Sequence, residues 1–168
     1  MRTRGANPLS GTKITSLEKL RKQIPQLKAA GKKIVFTNGC FDILHYGHVQ
    51  YLENAKKAGD ILIVGVNSDT SVNAIKGKGR PIVNEKDRMR VVAALESVNY
   101  VVSFKENTPL KIIMAIRPDV LVKGADWNKD KIVGAGFVTG YGGRVAVIKL
   151  AKGRSTSNLI KKIVRTNP

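Results

Sequence analysis

Short apolar runs alternate along this chain with segments whose apolar residues recur every three or four positions. The runs are Ile34-Val35-Phe36, Ile61 to Val66, Tyr100-Val101-Val102, Val120-Leu121-Val122 and Val145 to Ile148. The second is apolar on both faces, as strands buried in a parallel sheet are. Leu17, Leu20, Ile24 and Leu27 repeat at helical spacing until Gly31, behind a capping box of Thr15 and Glu18. Pro25 lies inside that pattern and is expected to kink or shorten a helix that packs over one sheet edge. Val49, Leu52 and Ala55 mark a second helix, and a short third one ends at Ile75. Asn84, with Asp87 at the third position, caps a helix whose buried stripe is Met89, Val92, Ala93 and Leu95, with Arg90 solvated. Thr108-Pro109 opens the next with proline at a tolerated site. Ile132 to Tyr141 reads as a short helix broken by glycines, and Leu159 to Ile163 as the last. Strands alternating with helices predict one doubly wound α/β domain of five parallel strands with right-handed crossovers. The boundaries are 1–32 for a basic tail, loose over Met1 to Gly11, plus an N-terminal helix, and 33–168 for the α/β domain.

Composition narrows the classes. In 168 residues with 42% hydrophobic content, no apolar run approaches a membrane span. Met1 to Thr12 is basic and polar with no apolar core behind it, so no secretory signal is expected. A single cysteine excludes an internal disulfide framework and fits a reducing cytoplasm. Thirty Lys and Arg against twelve Asp and Glu give a formal charge of +18, which asks for a polyanionic partner. Nucleic acid is one such partner, but the lysines are scattered, aromatics are 5%, and no RNA-binding or zinc-finger pattern is present. The same field would draw in nucleoside triphosphates and sugar phosphates.

The candidate chemistry gathers where the first strand meets the second helix, over Thr37 to His48. At such a junction the first helical N–H groups lack intrahelical partners and the dipole adds positive charge, so an anion is welcome. Gly47 lets a phosphate approach the backbone, and His45 and His48, the only histidines, aim donors at the same place. A zinc site needs three or four protein ligands, and Cys40 does not complete such a set. Asn67-Ser68-Asp69 ends the second strand at the edge where open parallel sheets bind ligands, and Lys123-Gly124 ends the fourth strand at that edge. Lys76 to Pro81 is a basic, glycine-rich loop, either plain surface or a lid over a phosphate ester. It lacks the Gly-Lys-Ser/Thr ending of a P-loop. Ser155-Thr156-Ser157, preceded by Arg154, offer more hydroxyls than a helix cap requires. No G-x-G-x-x-G follows a strand, and no serine or cysteine nucleophile sits in a recognisable elbow.

Asn38-Gly39-Cys40-Phe41-Asp42 followed by His45-Tyr46-Gly47-His48 resembles the signature of the H-x-G-H nucleotidyltransferases, directly after the first strand as in that family. Lys123-Gly124-Ala125-Asp126 is similar to the family's Lys-Gly-Gly-Asp, with Ala125 in place of the second glycine. Ser155-Thr156-Ser157 is similar to its Ser-Thr-Thr, with Ser157 keeping the hydroxyl. Among the branches, Val66-Asn67-Ser68-Asp69, Arg80-Pro81, Arg117-Pro118-Asp119 and Val133-Gly134-Ala135 most resemble the adenylyltransferases that make ADP-heptose. The resemblance runs from about Lys33 to Ile163. It implies a Rossmann-like nucleotidyltransferase fold and transfer of AMP from ATP to D-glycero-D-manno-heptose 1-phosphate, by in-line attack on the α-phosphorus. The catalytic residues it implies are His45, His48 and Lys123. Thr37, Asn38, Gly39, Phe41, Asp42, Gly47, Gly124, Asp126, Ser155, Thr156 and Ser157 would bind nucleotide. Asn67, Asp69, Lys76 and Arg88 are the candidates for the sugar phosphate. Mg²⁺ would be held through the nucleotide phosphates, with no side chain assigned to it, and a cytoplasmic homodimer is expected. A sister cytidylyltransferase acting on glycerol 3-phosphate and, from another class, a basic nucleic-acid-binding protein are the alternatives.

Overall fold

The computed structural model describes residues 10–125, 131–149 and 155–166. Its elements in chain order are α1 (Ser10–Lys13), α2 (Leu17–Ala29), β1 (Ile34–Gly39), α3 (Tyr46–Lys56), β2 (Ile61–Asn67), α4 (Asp69–Lys76) and α5 (Glu85–Ala93). There follow β3 (Tyr100–Phe104), α6 (Leu110–Ile116), β4 (Val120–Gly124), α7 (Ala135–Gly140), β5 (Arg144–Ile148) and α8 (Thr156–Thr166). The five strands form one parallel sheet in the order β3-β2-β1-β4-β5.

Alternating strand residues face opposite layers, which is why the strands are apolar throughout. Val35, Leu62, Val64, Val101 and Val120 pack against Tyr51, Leu52 and Ala55 of α3 and Met89, Val92 and Ala93 of α5. Ile34, Phe36, Ile63, Val102 and Leu121 pack on the other side against Leu20 and Ile24 of α2, Ile112, Ile113 and Ile116 of α6, and Val138 of α7. Each such fully buried aliphatic contributes about 1.5–3 kcal/mol. The sheet is therefore doubly wound, as expected.

Several local expectations are corrected. Ser16, not Thr15, caps α2, accepting from the Lys19 N–H. Thr15 is drawn away because its N–H donates to the Val101 carbonyl, and Ile14 bridges β3 in parallel. It is thus this short segment that covers the β3 edge, while α2 lies on a sheet face. The helix also passes through Pro25 and runs to Ala29 without being shortened. Residues 1–9 of the expected tail lie outside the described residues, and a four-residue helix begins at Ser10. Leu95 lies beyond the end of α5, where its carbonyl accepts from the buried Lys13 ammonium. The last helix starts three residues earlier and ends three later than its apolar stripe suggests.

Candidate functional site

The carboxyl edge of the sheet opens into a cleft of about 530 Å³. β1 reaches it with Asn38 and Gly39, and Cys40, Phe41 and Asp42 form the turn that follows. Phe41 adopts a left-handed backbone conformation (φ 47°), which a bulky residue takes only when its surroundings impose it. They do: its ring is buried and meets the edge of His48 at 5.4 Å between centroids.

His45 caps α3. Its Nδ1 accepts from the Gly47 N–H at 3.1 Å, so in the neutral ring the proton sits on Nε2. The Gly47 N–H is thereby taken up by His45, while Gly47 itself lines the cleft. His48 lies one turn into α3 and stacks on His45 at 3.9 Å between ring centroids. Burial, and secondarily the neighbouring His45, hold the His48 pKa down to about 4. Its Nδ1 is buried and has no hydrogen-bond partner among the described residues. Such an atom is ordinarily satisfied.

This depression sets a pH dependence. Between pH 6.5 and about 4 the unfolded chain takes up a proton on His48 that the folded chain refuses, so stability falls as pH drops through that window. Urea midpoints of wild type and His48→Gln at pH 7, 5 and 4 should show the wild type losing more on acidification. Parallel losses would contradict the buried, neutral ring.

Lys123, at the end of β4, donates to the Asn38 side chain of the adjacent strand and lines the cleft with Gly124. Ser155, Thr156 and Ser157 line it as well. Ser155 serves as the cap, accepting from the Asn158 N–H, and the Thr156 hydroxyl donates to the Ile43 carbonyl in the turn. Asn67 and Lys76 are on the wall beyond β2.

Thr37 and Arg88 lie behind the cleft, and Asp69 is outside its lining. Thr37 is fully buried and shares a hydrogen bond with the Tyr51 hydroxyl at 2.7 Å, so Tyr51 is the one that reaches the cleft. Arg88 is 1% exposed. Its guanidinium donates to the carbonyls of Val83, Cys40 and Asn67 and to one oxygen of the Asp69 carboxylate. Arg88 therefore ties together the β1 turn, the end of β2 and the start of α5. Asp126 and Arg154 lie outside the described residues.

Asp42 lines the cleft but looks inward. Its carboxylate is 1% exposed and accepts from the N–H groups of Ile82 and Val83 and from Arg80 Nε at 2.6 Å. Burial alone would raise its pKa, but the two backbone hydrogen bonds and the Arg80 guanidinium outweigh it and hold the carboxyl below the ordinary range. Arg80, Tyr51, Asn107 and Thr108 are wall residues beyond the sequence-derived set. Arg80 stood in the basic loop, but only its distant partner reveals its place.

The cytidylyltransferase-like family model matches residues 36–164 of this chain. The bifunctional protein HldE of Methylobacillus flagellatus is 52% identical over 151 residues, which are 90% of this chain and 31% of that protein. HldE of Geobacter metallireducens is 51% identical over 93% of this chain and 32% of its own length. The chain thus spans about a third of these relatives. Among solved structures, a lipopolysaccharide core biosynthesis protein from Thermoplasma volcanium is 30% identical, with a TM-score of 0.60 over 74% of this chain and all of that one. Pantothenate synthetase from Thermus thermophilus shares the fold, with a TM-score of 0.63 at 13% identity over 88% of this chain and 67% of that one. No helix among the described residues is long and apolar enough to cross a membrane.

Proposed function

This chain belongs to the cytidylyltransferase-like family of nucleotidyltransferases, and from that we propose that it transfers AMP from ATP to D-glycero-D-manno-heptose 1-phosphate, releasing pyrophosphate and ADP-heptose. The observation that carries the proposal is the gathering of His45, His48, Lys123 and Ser155 to Ser157 on one cleft of nucleotide size. The choice of acceptor rests on the motif resemblance, with support from the HldE relatives and the lipopolysaccharide core biosynthesis protein. Cytoplasmic action as a homodimer belongs to the same proposal; the homodimer rests on the resemblance and the compartment on the single cysteine.

In this reading a phosphate oxygen of the sugar phosphate attacks the α-phosphorus in line, and the bond to pyrophosphate breaks. Charge grows on the α-phosphate oxygens and the leaving group, so the protein works by positioning and electrostatic stabilisation. His45, through its Nε2–H, and His48 meet those oxygens inside the cleft. Lys123 and the N-terminus of α8 steady the nucleotide phosphates. No group of three metal-ligating side chains exists among the described residues, and the Asp42 carboxylate is already committed to three donors. Mg²⁺ carried on the nucleotide phosphates would offset part of their charge.

Pyrophosphate release from the purified protein with Mg²⁺ and heptose 1-phosphate tests the proposal, with ATP and CTP offered in turn. Release with ATP is the expected result. Release with CTP only would move the chain to a sister activity, and silence with both would overturn the acceptor.

A further inference from the structure

The strand order divides the cleft into two sides. The β4 side carries Lys123 and Gly124, and Ser155 to Ser157 line the cleft where Thr156 donates to the Ile43 carbonyl of the β1 turn; both sets are assigned to nucleotide phosphates. The β2 side carries Asn67, Lys76 and Arg80. Two arginines stand close to this second side, and they differ in one respect. Arg88 has spent its guanidinium on three carbonyls and a carboxylate. Arg80 has spent only Nε, on Asp42, and its two terminal nitrogens form no hydrogen bond among the described residues. Its side chain is 17% exposed and lines the cleft.

We propose that Arg80 is the residue that binds the phosphate group of the acceptor, and that Asp42 is the positioning residue that holds it there. This rests on the nucleotidyltransferase reading above. A guanidinium is a flat fork of five N–H donors. Engaging Nε alone leaves the four terminal donors in a fixed plane, the arrangement that suits bidentate binding of a phosphate monoester. Asp42 can fix that plane because it is itself anchored by the backbone N–H groups of Ile82 and Val83, two and three residues beyond Arg80. The loop is closed on α4 as well. The Asn73 side-chain amide donates to the Arg80 carbonyl at 3.3 Å, and the Arg80 N–H donates to the Gly77 carbonyl at 3.3 Å. Asp42 neutralises Arg80, and Lys76 then adds one positive charge on the same side, so the subsite favours an anionic sugar phosphate over a neutral sugar.

The test is titration calorimetry on wild type, Arg80→Ala and Arg80→Gln with three probes. These are ATP with Mg²⁺, heptose 1-phosphate on protein loaded with an ATP analogue whose α–β bridging oxygen is replaced by methylene so that AMP cannot be transferred, and orthophosphate on the same loaded protein. Arg80→Gln keeps a donor for Asp42 and guards against loss of fold. Both variants should bind heptose 1-phosphate and orthophosphate roughly ten- to a hundredfold more weakly, the range of charge-assisted hydrogen bonds. Affinity for ATP should stay within about twofold, below the loss of one hydrogen bond. In steady state, Asp42→Asn should raise the KM for the acceptor and leave that for ATP unmoved. Unchanged binding of both phosphate probes would overturn the assignment. So would a parallel loss of ATP affinity, which marks a structural role, or loss of ATP affinity alone, which puts Arg80 on the nucleotide. If wild type ignores heptose 1-phosphate, the heptose reading falls, and the orthophosphate titration still decides Arg80.

Discussion

A His48→Ala protein is expected to fold, to bind ATP, and to turn over about 10²–10³-fold more slowly, the loss that follows removal of one preorganised donor to a developing oxyanion. The ring sits one turn into α3, stacked on His45 at 3.9 Å and edge-on to Phe41. Its Nδ1 is buried without a hydrogen-bond partner among the described residues, an arrangement that costs stability. Because the ring is already desolvated and neutral at pH 7, its contact with phosphate requires no reorganisation at the moment of reaction. Removing it strands no hydrogen-bonded group among the described residues but takes away the ring contacts to His45 and Phe41, so a modest fall in melting temperature is expected beside the large loss of turnover. The measurement is kcat from pyrophosphate release beside a thermal melt. Near-normal turnover in a folded variant would sink the assignment of His48.

Asp42→Ala should do the opposite and cost stability first, by about 3–5 kcal/mol, as when one member of a buried ion pair is deleted. For a chain of this size that lowers the melting temperature by about 10 °C. The carboxylate is the common acceptor for the Ile82 and Val83 N–H groups and for Arg80 Nε. Truncation leaves all three donors unpaired at the mouth of the cleft. Arg80→Ala is milder, because Asp42 then keeps its two backbone donors. Chemical denaturation of the two variants side by side reads the difference. A loss of less than about 1 kcal/mol for Asp42→Ala, within the range of a surface substitution, would mean that the carboxylate does not anchor the loop.

Most of the elements could be read from the sequence because their signals are local. Asn84 accepts from the Asp87 N–H as its spacing announces. The element ends were less legible. β1 runs on through Thr37, Asn38 and Gly39, polar or small residues that the apolar pattern assigned to a turn, because their pairing with Val64, Gly65 and Val66 of β2 decides the matter. Thr15 and Ser16 are equally good caps in isolation, and a bond from Thr15 to β3 selects the second. Within the cleft, the motif residues His45, His48, Lys123 and Ser155 to Ser157 come together. The place of Arg80 could not be read in this way, since its partner stands 38 positions earlier in the chain.

By itself, then, the sequence determined which segments are strands and which are helices, that both sheet faces are covered, and which turn carries the two histidines, since periodicity, caps and turn chemistry act over a few residues. Only the tertiary structure decided that β4 lies beside β1, which sets Lys123 against Asn38 across 85 positions. It also decided that Asp42 faces Arg80, and that Arg88 is consumed by carbonyls while Arg80 keeps donors for a ligand. The physical reason is the same in each case: a buried polar group must find its partner wherever the fold presents one, and that is settled only when the whole chain has packed.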